Sequence, residues 1–169
     1  MGGVVAGASP AAAAPAPVVV VVPGTAGGDG HGGTPPVATG IVLGPNEALV
    51  VTATGTVYLG SGNTLPNGPN GGNGGYFGFG LVPFAPPGCL AARVGTGAWH
   101  CIGAGPTALT GSGAVQLAVN DGFIGGLGEP GYSDNSGQFA VKLVEGTTYP
   151  PDLALPMVTA LTWHHHHHH

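Results

Sequence analysis

Glycines and prolines constrain this chain more than any other feature, because they interrupt every stretch that could otherwise form a long helix. The 169 residues include 35 glycines and 17 prolines. Between them lie short runs rich in valine and threonine, such as Val18–Val22 and residues 48–59. Turn-forming residues that alternate with β-branched runs are typical of short strands. We therefore predict an all-β fold, a β-sandwich or jelly roll of short antiparallel strands.

Charge is sparse, and what there is has one sign. The chain has two basic residues, Arg93 and Lys142, and seven acidic residues, which gives a formal net charge of −5. Nucleic acid is excluded as a default partner, because neutralising phosphates requires clustered Lys and Arg. Mean hydropathy is positive, at +0.31, whereas disordered chains pair low hydropathy with high charge. The five valines 18–22 are far short of the roughly 20 apolar residues that span a bilayer, so we expect no membrane insertion.

The composition divides the chain into four segments. Residues 1–17 alternate Ala, Pro and Gly and form an arm or linker. Residues 18–146 form the sandwich, and residues 147–163 are an apolar tail that supplies an extra strand or docks on a neighbour. Residues 164–169 are a histidine purification tag. The scarcity of charge favours a secreted or cell-surface location.

Three runs open the predicted sandwich. Val18–Val22 has the length and β-branching of a buried strand. Val37–Leu43 and residues 48–59 flank a Gly-Pro-Asn-Glu turn at 44–47, which predicts a hairpin. Later strands are expected at 90–94, 99–102, 107–109, 115–120 and 138–144. Two large aromatic residues are assigned to the core, Trp99 and Phe139.

The two cysteines, Cys89 and Cys101, lie twelve positions apart. They are compatible with one disulfide, and almost equally with two thiols in adjacent strands. Neither has the CxxC or His spacing of a zinc site. His100 and Cys101 are neighbours in a strand, so their side chains point to opposite faces and make a poor nucleophile and base pair. No cofactor motif or basic clamp supports acid–base chemistry either, and we expect no enzyme.

Acidic residues concentrate in one loop. Asp121, Glu129 and Asp134 fall within fourteen residues that contain no Lys or Arg, between two predicted strands. Calcium binds carboxylate, amide and carbonyl oxygens in a flexible geometry, and a loop rich in Asp, Asn and Gly supplies them. The spacing is not that of an EF-hand. The alternative is that Asp, Asn, Ser and Gly are simply the commonest turn residues and that the loop holds no metal.

The same region resembles a known family. Residues 115–121, Val-Gln-Leu-Ala-Val-Asn-Asp, and residues 132–139, Tyr-Ser-Asp-Asn-Ser-Gly-Gln-Phe, are similar to the C-terminal signature of the small bacterial galactophilic lectins. These are calcium-dependent galactose-binding β-sandwiches. Their signature has Asn-Asp after a strand, and then Tyr-Gly-Asn-Asn-Ser-Gly-Ser-Phe leading into the last strand. The likeness extends loosely over residues 18–144, but only residues 119–141 carry a specific motif.

The resemblance implies a calcium site and a sugar site. By position, the side chains of Asp121, Asp134 and Asn135 would hold Ca²⁺, and backbone carbonyls at Leu59 and Gly131 would complete the protein ligands. Two hydroxyls of a galactose-type glycan would then coordinate the ion beside Asp121 and Asn135. This explains how a site without basic residues could bind a neutral polyol.

The sequence departs from the lectins in two places. Where the family has His and Gln contacts to galactose, residues 72–80 offer Tyr76 and Phe77 instead; aromatic faces stack on the apolar side of sugars, so both are candidate sugar contacts. The loop after Asp121 is also longer than in the lectins, so Phe123, Ile124 and Leu127 could fill or cover the pocket.

A structural role is the alternative function. Long uncharged segments leave strand edges with few Lys or Glu residues to block pairing between chains. A secreted subunit that forms oligomers or filaments through such edges and its terminal segments would show this composition. Calcium would then be purely structural.

Overall fold

The protein is an all-β sandwich in the computed structural model, which describes residues 16–75, 78–125, 128, 130–146 and 157–159. Within those residues ten strands follow one another without a helix, and they form two sheets. They are β1 (Val18–Pro23), β2 (Val37–Leu43), β3 (Ala48–Gly60), β4 (Thr64–Asn67), β5 (Leu90–Val94), β6 (His100–Cys101), β7 (Thr107–Thr110), β8 (Gly113–Val119), β9 (Ser136–Gly146) and β10 (Met157–Thr159). The predicted fold class is confirmed.

The larger sheet has six strands in the order β10-β7-β3-β9-β1, and β4 also pairs with β3. The smaller sheet has the order β2-β8-β5-β6. Neighbouring strands are antiparallel, except that β10 runs parallel to β7. The long β3–β9 ladder, which pairs Ser136 with Tyr58 at one end and Gly146 with Ala48 at the other, forms the centre of the larger sheet.

The core lies between the two sheets, and the period-two pattern of β3 shows how the sequence builds it. Leu49, Val51 and Ala53 are buried, while Thr54 on the opposite face is exposed. A strand that faces a core on one side requires this alternation. Phe139 of β9 is fully buried, as predicted. The core is completed by apolar residues of both sheets, including Val57, Leu90, Val94, Leu109, Leu117, Val141 and Leu143.

The predicted hairpin around residues 44–47 is wrong. The turn exists, since Glu47 N–H donates to the Gly44 carbonyl at 3.2 Å, but β2 pairs with β8 in the smaller sheet and β3 lies in the larger one. Both strands carry an apolar face, with Leu43 buried on β2 and Leu49 on β3. Placed on opposite sheets, the two faces pack into the same core, and the turn crosses between the layers.

Two burial predictions also need correction. Val18–Val22 is a strand, but only one of its faces meets the core: Val22 is buried and Val20 packs against the core, while Val19 and Val21 on the opposite face are 63% and 48% exposed. Trp99 is half-buried and not part of the core; the Arg93 guanidinium lies 5.1 Å from its ring centroid. In the described part of the chain, no helix has the length and hydropathy to cross a membrane.

Candidate functional site

Four strand ends meet at one end of the sandwich. The register places the last residues of β3 opposite the first of β9, since Tyr58 pairs with Ser136. The end of β1 adjoins the same point, since Pro23 pairs with Gln138. The Asn120-Asp121 pair follows β8 directly, and the Asp121 side chain contacts Asn135 just before β9. The sequence motifs at 120–121 and 132–135 are therefore brought together by topology.

Asp121 and Asn135 are in direct contact. The Asn135 side-chain amide donates from Nδ2 to Asp121 Oδ2 at 2.9 Å and also to the Gly24 carbonyl at 2.9 Å. The second carboxylate oxygen, Asp121 Oδ1, accepts from the Gly122 N–H at 2.7 Å. Both side chains are buried, at 5% and 8% exposure.

The carbonyl oxygen of Asn135 is left without a partner. Because Nδ2 is committed to two acceptors, the amide orientation is fixed, and Oδ1 is a buried oxygen with no hydrogen bond. Leaving a buried polar atom unsatisfied costs on the order of 1–3 kcal/mol. An unsatisfied buried oxygen requires an explanation, and a cation bound beside the carboxylate would provide one.

A cavity of about 370 Å³ opens at the same place. Leu59, Gly131, Asp121 and Asp134 all line it, so four of the five residues implied as calcium ligands share one cavity, and the fifth, Asn135, contacts Asp121. The remaining described lining residues are Gly60, Leu65, Gly75, Ile124 and Gly125. Tyr76 and Phe77, the candidate sugar contacts, lie outside the described residues.

The electrostatics of the site favour a cation. Burial raises the pKa of Asp121 from 3.8 to about 6; hydrogen bonds from Asn135 and Gly122 oppose this, and the nearby charge of Asp134 adds to it. A buried carboxylate near a second negative charge is stabilised when a proton or a cation neutralises it. The described residues contain no cluster of three His, Cys, Asp or Glu side chains that could hold a metal. Any metal here would therefore depend on amide and carbonyl oxygens as well, which calcium accepts.

Tyr132 holds the backbone of Asp121 in place through hydrogen bonds. Its hydroxyl donates to the Val119 carbonyl at 2.7 Å and accepts from the Asp121 N–H at 3.1 Å, so the phenol fixes the backbone at the end of β8. The ring is fully buried, and burial raises the pKa of the hydroxyl above its ordinary value. The tyrosine of the 132–139 motif is thus a structural residue of the site.

Removing this hydroxyl tests the support directly. We expect Tyr132→Phe to destabilise the fold by about 1–3 kcal/mol, because the Asp121 N–H and the Val119 carbonyl lose a buried partner. The measurement is urea unfolding. The matched control is Tyr58→Phe, which removes the same hydroxyl from a half-buried tyrosine of β3. Equal stability of the Tyr132→Phe variant and the wild type would contradict this role.

The loop at residues 24–34 is part of the site, although its sequence indicates only a glycine-rich turn. The Gly24 carbonyl orients Asn135, and a Cβ at Gly28 would lie 2.1 Å from the Tyr132 ring. His31 stacks on Phe123 with ring centroids 4.1 Å apart. Gly24 and Asn135 are 111 positions apart, so no local pattern could have revealed their contact.

Two residues of the longer loop after Asp121 point to different places. Phe123 turns to His31 and does not line the cavity, whereas Ile124 does, at 54% exposure. An isolated bridge from Ile124 to Pro130 and a hydrogen bond from Gly131 N–H to the Phe123 carbonyl fold the loop back on itself. The expectation that this loop reaches the pocket therefore holds for Ile124 and is wrong for Phe123, while Leu127 lies outside the described residues.

The cysteine and histidine candidates lie elsewhere. Cys89 and Cys101 are joined by a disulfide with Cα atoms 5.8 Å apart, which leaves no free thiol in the described chain. His100 precedes Cys101 in β6; its Nε2 is buried without a hydrogen-bond partner, and burial lowers its pKa. A cysteine–histidine nucleophile is incompatible with this arrangement.

Comparison with known proteins agrees with the architecture. No protein-family model and no curated protein matches the sequence. Among solved structures, the chain is similar to one described as "EclA N-terminal domain; PllA-like lectin", with a TM-score of 0.51 and 23% sequence identity. The match covers 76% of this chain and 95% of that one. The protein therefore has a lectin-like β-sandwich fold.

Proposed function

We propose that this protein is a non-catalytic, calcium-dependent lectin that binds galactose-type glycans at the cavity beside Asp121. The observation that carries the proposal is the unpartnered, buried Oδ1 of Asn135 next to the Asp121 carboxylate. The similarity to a structure described as a lectin domain supports carbohydrate binding in general. The calcium dependence and the galactose preference are proposed from the likeness of the motif at 119–141 to the galactophilic lectins.

The residues present fit a calcium ion. Asp121, Asp134 and the Asn135 amide offer hard oxygen donors, and Leu59 and Gly131 line the same cavity as the two aspartates. Calcium takes six to eight such ligands, and the protein would supply only some of them. When bound, the ion would supply Lewis-acid coordination to two vicinal sugar hydroxyls. Hydrogen bonds with Tyr132, Gly122 and Gly24 hold the oxygen donors of Asp121 and Asn135 in place.

The disulfide supports a location outside the cytoplasm. Cys89 and Cys101 are bonded, and stable disulfides persist in oxidising compartments and are rare in the cytosol. A glycan-binding module that acts on extracellular sugars would be found there. We accordingly propose a secreted or cell-surface protein.

The proposed function is tested by titrating methyl β-D-galactopyranoside into the protein by calorimetry. We expect saturable binding in excess calcium and none after the calcium is removed with a chelator. A matched titration with methyl β-D-glucopyranoside, which differs only in the orientation of one hydroxyl, controls for non-specific heat. Binding that is indifferent to the chelator would argue against calcium at this site, and no binding of any sugar would argue against a lectin.

Self-assembly remains the second candidate function, and one observation favours it. The edge strand β1 exposes Val18, Val19 and Val21, and it carries no charged residue. Bare apolar edges are templates for pairing with another chain, which would give oligomers or filaments. Light scattering of the sugar-free protein over a range of concentrations measures this directly.

A further inference from the structure

The proposed sugar site has two chemically distinct walls. Asp121 and Asp134 supply the only polar side chains among the described lining residues. The rest of the described lining consists of glycines and three apolar residues, Leu59, Leu65 and Ile124. A ligand there meets carboxylates on one part of its surface and hydrocarbon on another.

Leu65 and Ile124 are large apolar residues that line the cavity and stay exposed. Leu65 of β4 is 39% exposed and Ile124 is 54% exposed. Leu65 also has a φ of 54°, a left-handed conformation that a leucine rarely adopts. Strained residues of this kind cluster at ligand sites.

The position of Ile124 is held by its neighbours. Phe123 is stacked on His31, and the bridge to Pro130 closes the loop on the other side. These contacts hold the backbone at Ile124 in place, so a ligand in the cavity meets this side chain in a defined position.

We propose that the apolar wall selects a 6-deoxyhexose of galacto configuration, in which a methyl group replaces the hydroxymethyl group of galactose. This inference rests on the proposed function. A hydroxymethyl group held against Leu65 and Ile124 loses its water and gains no hydrogen bond from either side chain, which is unfavourable. A methyl group at the same place buries apolar surface at no such cost.

The experiment compares two ligands that differ by one oxygen atom, methyl β-D-galactopyranoside and its 6-deoxy analogue, titrated into the calcium-saturated protein. We expect the 6-deoxy sugar to bind roughly three- to tenfold more tightly. Leu65→Asn and Ile124→Asn should each bring the affinity ratio towards one while calcium affinity stays unchanged. Asparagine also tolerates the left-handed backbone at position 65, so this variant should fold.

Val42→Asn is the matched control, because Val42 is 67% exposed on β2 of the smaller sheet and is not among the residues that line the cavity. Equal binding of the two sugars, or tighter binding of the galactoside, would overturn the selectivity and leave the lectin function standing. A ratio that persists in both asparagine variants would overturn the role of the apolar wall. Binding of calcium with no binding of either sugar would overturn the proposed function itself.

Discussion

Asp121→Asn should abolish the rise in melting temperature that calcium gives the wild-type protein. The carboxylate is the most buried charge of the site, and its Oδ2 holds the Asn135 amide, so the substitution removes one proposed ligand and disturbs another. A ligand at 100 times its Kd stabilises a fold by about 2.7 kcal/mol, and the variant should lose essentially all of this. The measurement is thermal unfolding with and without excess CaCl₂.

Glu145→Gln is the control for this experiment. It removes the same unit of negative charge from an exposed position near the end of β9, where Glu145 pairs with Leu49 at the opposite end of the ladder from the site. It should leave the calcium-induced shift intact. If Asp121→Asn retained the full shift, or if Glu145→Gln lost it, calcium would not be held at Asp121. The comparison uses the shift within each variant, so any loss of intrinsic stability in Asp121→Asn does not affect it.

Stability of the metal-free protein should fall as the pH rises from about 4 to about 6. Burial raises the pKa of Asp121 from 3.8 to about 6, so the folded state binds this proton more tightly than the unfolded state. The contribution is therefore fully present below pH 4 and lost as the pH passes 6. A shift of about two pKa units corresponds to about 3 kcal/mol, or roughly 6–12 °C in melting temperature.

Calcium should reverse the sign of this dependence, because the ion competes with the proton for the carboxylate. The measurement is the free energy of unfolding from urea titrations at several pH values, in metal-free and calcium-loaded protein. Asp121→Asn provides the reference profile, since subtracting it cancels the titration of every other group. A difference profile that is flat between pH 4 and 6 would show that Asp121 does not have a raised pKa.

Much of the calcium-site hypothesis could be drawn from the sequence because its residues lie in two short motifs. Asp121 follows the end of β8, and Asp134 and Asn135 precede β9, so each motif is recognisable from its place beside a strand. The backbone contributions of Leu59 and Gly131 followed only from the likeness to the lectins, and the structure places both in the same cavity as Asp121. Nothing in the sequence indicated that the Gly24 carbonyl accepts a hydrogen bond from Asn135.

The fold shows the same division. Alternation of buried and exposed residues in β3 and the β-branched runs determined, from the sequence alone, that the chain forms short strands. Which strands pair was not determined, because β2 and β3 carry the same apolar pattern whether they form a hairpin or face each other across a core. The exposure of β1 was likewise undetermined, since an unbroken valine run does not show that only one face of the strand is covered.

The sequence by itself determined an all-β chain, its low charge and the two oxygen-rich motifs, because composition and local periodicity report on neighbours along the chain. Only the tertiary structure decided that Asp121 meets Asn135, that Gly24 orients the Asn135 amide, and that Ile124 lines the cavity while Phe123 turns to His31. These contacts join segments up to 111 positions apart. Sheet register and packing between layers set them, and neither property is encoded in any single stretch of residues.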